Sequence, residues 1–306
     1  MKDLTVFVLT HNRGQLLLET INSILAQDCS DFKFIVSDNS SNDETKQLLT
    51  ENKLINKFEY RKRDKEYSSL DHFNMCLSEV ETKYFILFHD DDVMLPNMIS
   101  TLYEKITSGD YSAVACSAYT INASSEIIGV FGPQNLSDIL IDNASSLIYQ
   151  YLIGDIFPYP SYMYSKEKCK SLIFVEDAGK YSDVTWLARV AEQAPILWVS
   201  QNLMKYRMHG GQDSSAWSYI QQLKLINRMN SYVITEQQKK IYKKYRYKNI
   251  RYYAELHNHK LPLLFHYKYC ENFIKINLHL IKVRIYKMEK LRQIYRKIKK
   301  ILKGRK

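Results

Sequence analysis

Short apolar runs alternate with amphipathic stretches along the first two thirds of the chain. Leu4-Thr5-Val6-Phe7-Val8-Leu9 predicts a strand, after which Leu16, Leu17, Ile21, Ile24 and Leu25 recur at helical spacing. Phe32-Lys33-Phe34-Ile35-Val36 predicts a second strand, and the polar cluster 37–43 supplies N-caps for a helix over 45–49. A short strand at Phe58-Glu59-Tyr60, a helix over 70–80 and a strand over 84–88 follow. Strands and helices alternating in this way predict βαβ units and a mostly parallel sheet. Further on, the pattern predicts helices over 93–106, 144–153, 166–174 and from Asp183 to Ala191. The strands expected between them lie at 112–121, 162–164 and 196–199.

The strand over 84–88 runs straight into His89-Asp90-Asp91-Asp92. Three adjacent carboxylates repel one another and favour turns over strands. A divalent cation relieves that repulsion, and hard oxygen ligands suit Mg²⁺ or Mn²⁺. The alternative is a solvated acidic turn capping the helix near Pro96. In open α/β sheets ligands bind outside the carboxyl ends of the strands, so the polar loops 10–13, 38–42 and 89–92 are expected to converge on one ligand. No G-x-G-x-x-G follows the first strand and no G-x-x-x-x-G-K-[ST] occurs, which disfavours dinucleotide oxidoreductases and P-loop NTPases.

Composition narrows the class. Five scattered cysteines without a C-x-x-C pair argue against a disulfide framework or a zinc site. No run of eighteen apolar residues predicts a membrane span, and the N-terminus is unlike a signal peptide, so a cytoplasmic protein is expected. The net charge of +10 is unevenly placed: residues 1–214 hold 19 Lys/Arg against 29 Asp/Glu, and residues 215–306 hold 24 against 4. That break sets the expected domain boundary, a catalytic domain over 1–214 and a helical, basic region over 215–306. Asymmetry of this kind points to an acidic partner for the second part.

Five stretches carry a family resemblance. Val8-Leu9-Thr10-His11-Asn12-Arg13 and Ile35-Val36-Ser37-Asp38-Asn39-Ser40-Ser41-Asn42-Asp43-Glu44-Thr45 resemble the opening motifs of family 2 glycosyltransferases of the GT-A fold, the type that builds bacterial surface polysaccharides. The Asp-rich strand end is similar to the D-x-D region. Ser182-Asp183 before Trp186-Leu187 is similar to the E-D motif, and Tyr206-Arg207-Met208-His209-Gly210-Gly211 resembles the late Y-R-x-H segment. The resemblance spans about residues 3–214. It implies a Rossmann-like, mostly parallel central sheet flanked by helices, and a nucleotide diphosphate sugar as donor.

The resemblance also implies roles. Thr10, His11, Asn12, Arg13, Asp38, Asn39 and Ser40 would hold the nucleotide, with His11 stacked on the base and Asp38 accepting its N–H. Asp90 would reach the ribose or the metal, and Asp91 would ligate Mn²⁺ or Mg²⁺ across the diphosphate. Asp92 would be a second ligand or a cap. His209 would add a ligand or a donor to the phosphates, beside the fixed charge of Arg207. Asp183 would be the general base of an inverting displacement by an acceptor hydroxyl. Asn74, with Asp71 and His72, either faces the donor or makes an ordinary polar helix surface. The sequence departs from the family where His89 replaces the first Asp of the acidic motif, Asn39 a common Asp or Gly, and Ser182 a Glu.

In the basic region Ile274, Leu278, Ile281, Ile285 and Met288 form one apolar stripe on a cationic helix. Such a helix either lies on an anionic membrane or packs on the catalytic domain; no groove-reading motif supports nucleic acid. Membrane contact suits an acceptor that is a glycan or a lipid-linked oligosaccharide. Competing classes are a nucleotidyltransferase and a non-catalytic sugar-nucleotide- or lipid-binding protein.

Overall fold

The computed structural model describes residues 2–133, 137–209 and 218–256, together with Met288 and Gln293. The first strand, β1 (Leu4–Thr10), is buried along its whole length, as a central parallel strand covered on both faces must be. After α1 (Gly14–Leu25), strand β2 (Lys33–Asp38) pairs parallel to β1 with Thr10 beside Asp38. Helix α2 (Glu44–Glu51) leads to β3 (Glu59–Lys62), parallel to β2. Helix α3 (Ser69–Ser78) starts at Ser68, whose hydroxyl accepts from the Asp71 amide at 3.2 Å. The chain then returns to the far side of β1 as β4 (Tyr84–His89), parallel to it with Leu9 beside His89. The order β3-β2-β1-β4 places a switch point between β1 and β4. The loops leaving Thr10, Asp38 and His89 therefore share one sheet edge.

Beyond β4 the sheet is mixed. Strand β5 (Val93–Met94) stands where the periodicity predicts the start of a helix, and that helix, α4, begins only at Met98 (Met98–Thr107). Pro96 disfavours the helical conformation at Leu95, which fixes the late start. Strands β6 (Ala113–Ile121) and β7 (Ile127–Phe131) make an antiparallel hairpin. After β8 (Ile139–Ile141) and α5 (Ala144–Ile153), a 3₁₀ turn at Tyr159–Ser161 sets up β9 (Met163–Ser165), wedged antiparallel between β4 and β6. Helix α6 stops at Cys169 (Lys166–Cys169) rather than reaching Phe174. A second 3₁₀ turn, Gly179–Tyr181, precedes α7 (Ser182–Ala191). The last strand, β10 (Ile196–Arg207), is far longer than its apolar run 196–199. It lies parallel to β6 and antiparallel to β5 and β8. Leu4, Val6, Val8, Ile86, Phe88, Val114 and Met204 are among the strand residues of one continuous core with α1 and α4.

Two compact units are defined, Met1–Lys239 and Lys240–Lys306. In the first, α8 (Tyr219–Met229) buries Leu223, Leu225, Ile226 and Met229. Helix α9 (Glu236–Leu256) belongs to the second from Lys240 onward. The apolar stripe 274–285 lies outside the described residues, and Met288 is 54% exposed. Among the described residues no helix is long and apolar enough to cross a membrane. Cys29, Cys76, Cys116 and Cys169 are free thiols.

Candidate active site

The acidic run sits at the end of β4, and its three carboxylates are all buried. Asp90 accepts the backbone N–H of His11 at 3.2 Å and faces Arg13 Nη1 at 3.4 Å, with the Thr10 hydroxyl beside it. Burial, together with the neighbouring Asp91 charge, pushes its carboxyl up to about 6. Asp91 Oδ2 receives Arg13 Nη1 at 2.8 Å and lies 3.0 Å from His209 Nε2. Thr10, Arg13, Asp90, Asp91 and His209 thus meet at the switch point, although His209 lies 118 positions from Asp91.

Asp92 Oδ1 accepts the Arg207 backbone N–H at 2.8 Å, whereas its Oδ2 is sealed from solvent without a hydrogen-bond partner. Burial, reinforced by the Asp91 charge, raises its carboxyl well above the ordinary range. Ligand atoms of His89, Asp91 and Asp92 lie within 4.8 Å of one another. These residues fit a divalent cation: two carboxylates and an imidazole converge, and the unpartnered oxygen belongs to one of them. His89, which departs from the family pattern, joins this cluster, while the expected ligand His209 reaches Asp91 instead.

Arg207 is 1% exposed. Its Nε donates to the Asp91 carbonyl at 2.8 Å, Nη1 donates to the Asn122 carbonyl and to Ser125 Oγ, and Nη2 pairs with Glu19. The guanidinium thus supports the acidic loop from behind. Replacing it leaves buried acceptors unmet, so Arg207→Met is expected to cost about 3 kcal/mol in chemical denaturation. Lysine cannot reproduce the planar fork, and Arg207→Lys is expected to recover only a minor part of the loss.

The second loop is held from below. Asp38 is 0% exposed; its Oδ1 accepts the Ser40 amide at 2.8 Å, and its Oδ2 accepts the Tyr60 hydroxyl at 2.5 Å and faces Lys62 Nζ at 3.5 Å. Asn39 clamps Tyr67 through both ends of its amide, each at 2.9 Å. Ser40 Oγ accepts the Asn12 amide at 2.8 Å, joining the first loop to the second. Asn12 adopts φ 55°, within the left-handed region that asparagine tolerates. His11 is exposed and pairs with Glu66 at 2.7 Å. The loop residues named by sequence therefore come together, with Asp38 sealed beneath them rather than at their surface.

Beside the acidic run opens a cavity of about 450 Å³ bordered by Arg13, His89, Asp91, Tyr159, Phe174 and Asp183, among others. Asp183 stands at the start of α7, where its Oδ1 is buried without a partner. Burial pushes its carboxyl up to about 6, opposed only by the backbone amides of Val184 and Asp183. Asn74 does not border this cavity; both ends of its amide hold the Phe174 backbone, at 2.7 and 2.9 Å. His72 is buried against Ser37 Oγ at 2.6 Å, and burial depresses its imidazole to about 4. Sequence reasoning missed the aromatic wall of Phe73, Tyr159 and Phe174, whose rings pack 5.0–6.2 Å apart. Residues from three separate segments cannot be joined by spacing alone.

A parallel half-sheet with an acidic strand end at its switch point, facing a second carboxylate across a cavity, defines a GT-A glycosyltransferase fold. Residues 5–148 match the model of glycosyl transferase family 2, and the chain is similar to that family over this part. An uncharacterized glycosyltransferase of Haemophilus influenzae is 26% identical over 226 residues, covering 71% of this chain and 69% of the relative. A Campylobacter jejuni enzyme, GalNAc(5)-diNAcBac-PP-undecaprenol beta-1,3-glucosyltransferase, is 32% identical over 111 residues, 36% of either chain. A fragment of S. aureus TarS in complex with UDP-GlcNAc shares the fold, with a TM-score of 0.62 and 17% identity across 80% of this chain and 71% of that one.

Proposed function

We propose that the protein is an inverting glycosyltransferase moving a sugar from a nucleotide diphosphate sugar, a UDP-sugar in the first instance, to a hydroxyl of a glycan or lipid-linked acceptor of the cell surface. One observation carries this reading: Asp91, from the acidic run, and Asp183, with its raised carboxyl, border the same cavity. Asp183 takes the proton of the acceptor hydroxyl as that oxygen attacks the anomeric carbon from the face opposite the diphosphate. Asp91 and Asp92, with His89, would hold Mn²⁺ or Mg²⁺. When bound, such a cation supplies Lewis-acid stabilisation for negative charge on the departing diphosphate. Arg13 and His209, both on Asp91, hold its carboxylate in place, and the Arg13 guanidinium adds positive charge beside the leaving group.

His11, Asn12, Asn39 and Ser40 shape the surface offered to the nucleotide, and Asp38 fixes that surface from beneath. The relatives support the substrate classes: the S. aureus structure holds UDP-GlcNAc, and the C. jejuni enzyme is named for an undecaprenol-linked acceptor. The nucleotidyltransferase reading has no triphosphate loop to support it. Thermal shift with a panel of nucleotide sugars and Mn²⁺ tests the donor class. A UDP-sugar is expected to stabilise the protein only with the cation present, and no shift with any nucleotide sugar would count against the proposal.

The basic region is proposed to touch anionic membrane at the inner face of the cell membrane, by its 24 Lys/Arg against 4 Asp/Glu. Because α8 belongs to the first unit, the informative truncation ends at residue 256, not 214. Removing residues 257–306 is expected to weaken sedimentation with anionic liposomes at least about tenfold, at roughly 1 kcal/mol for each basic residue at the surface. Unchanged sedimentation would end the membrane proposal.

A further inference from the structure

The carboxylate read above as the base has an inner side. Asp183 and Trp186 lie three residues apart on one face of α7. Trp186 is fully buried and meets the ring of Tyr164 at 6.1 Å, and Tyr164 stacks on Tyr162 at 5.8 Å. Tyr159 walls the cavity beside Asp183. The hydroxyls of Tyr159, Tyr162 and Tyr164, the indole N–H of Trp186 and Oδ1 of Asp183 are all sealed from solvent. The Tyr164 hydroxyl approaches both Tyr159 and Trp186, yet none of the five atoms makes a hydrogen bond of ordinary geometry among the described residues.

One such atom costs about 1–3 kcal/mol when left unmet, and native interiors keep few of them. Five in one connected cluster, one of them the Asp183 oxygen itself, are therefore unlike a packing accident. Buried polar groups that no side chain reaches are ordinarily met by ordered water, which bridges donors and acceptors at little cost. All three phenols and the indole can donate, and Asp183 Oδ1 is the one atom of the five that, ionised, can only accept. Burial pushes the Tyr159 and Tyr162 hydroxyls well above their ordinary range, with the Asp183 charge adding to the effect, so both remain protonated donors.

We propose that Tyr159 and Tyr162 are positioning residues for Asp183: their hydroxyls donate, through ordered water, to Oδ1 and leave the other oxygen for the acceptor. The inference rests on the reading of Asp183 as the base. It assigns the two tyrosines a share in keeping that carboxylate ionised and oriented, which the backbone amides of Asp183 and Val184 begin. The remaining groups around it are Tyr181, just before the helix, and Arg13, His89, Asp91, Lys180 and Tyr206 on the cavity wall. Removing a donor from a carboxylate favours its neutral form, so the phenylalanine variants must protonate it at higher pH.

The test is the pH profile of kcat for the full chain, with Tyr162→Phe and Tyr159→Phe beside the wild type. Both variants are expected to move the acid limb upward by about one unit, lowering the ratio of kcat at pH 6 to kcat at pH 8.5 several-fold. A purely structural role would change stability or the level of activity and leave that ratio alone. If the wild type shows an acid limb and both variants keep it in place, the proposal is overturned while the base survives. A wild-type profile that is flat down to pH 5 removes the base itself, and this inference with it.

Discussion

Asp183→Asn is expected to slow sugar transfer by at least about 10³-fold while leaving donor affinity within a few-fold of the wild type. The amide keeps the size and shape of the carboxylate at the start of α7 but cannot take a proton. In the proposed mechanism donor binding falls to the loops after β1, β2 and β4, which this substitution does not touch. Steady-state kinetics and donor titration on the same preparation check both halves of the prediction.

The same variant carries a stability signature of opposite sign. Burial holds the Asp183 carboxyl at about 6 against an ordinary 3.8, so between those values the folded protein binds a proton that the unfolded chain has released. Stability from this group is therefore present at low pH and is lost as pH rises through that window. Asparagine has no charge to bury. At pH 7.5 Asp183→Asn is expected to be more stable by about 1–2 kcal/mol, a discounted figure because the side chain borders an open cavity. An enzyme that dies while its fold gains stability is the mark of a group retained for chemistry. For wild-type turnover the sign is plain: the base works ionised, so activity falls as pH drops below about 6.

Asp91→Ala is expected to remove transfer as fully, by a different route. The substitution deletes the carboxylate that gathers Arg13 and His209 and takes one member from the cluster with His89 and Asp92. Donor binding in the presence of Mn²⁺ is expected to weaken by about 100-fold, or about 2.7 kcal/mol, and direct titration of Mn²⁺ to lose its saturable phase. Asp183→Asn keeps both. Calorimetric titration of each variant separates the two carboxylates: one is needed to bind, the other only to react. Equal donor affinity in Asp91→Ala and wild type would remove the cation role.

Much of this arrangement was legible because a parallel sheet puts the loops after successive strands on one edge. Once β1, β2 and β4 are read from apolar runs, Thr10, Asp38 and the acidic run must be neighbours, and the register bears this out. The antiparallel pairings were not legible. Strand β9 was expected over 162–164, but its three residues carry no sign that it runs antiparallel between β4 and β6; β5 has only two residues and read as the start of a helix, and β10 continues through polar residues beyond its apolar run. Pattern also misses burial of charge. Arg207 and Asp38 read as ligand-facing groups from their motifs, yet their partners, Glu19, Asn122, Tyr60 and Lys62, come from elements whose approach only the fold determines. Asn74 read as a polar helix surface or a donor contact, and instead it fastens the segment that carries Phe174.

The central claim is that a cation-binding acidic strand end and the carboxylate of Asp183 serve one direct displacement across one cavity. The anomeric configuration of the first-formed product, read by proton NMR during turnover of a UDP-sugar donor with an accepted glycan, tests it most directly. The account predicts an inverted linkage from the earliest time point. A retained configuration would contradict it, since a single attack from the face opposite the diphosphate cannot preserve the stereochemistry of the donor.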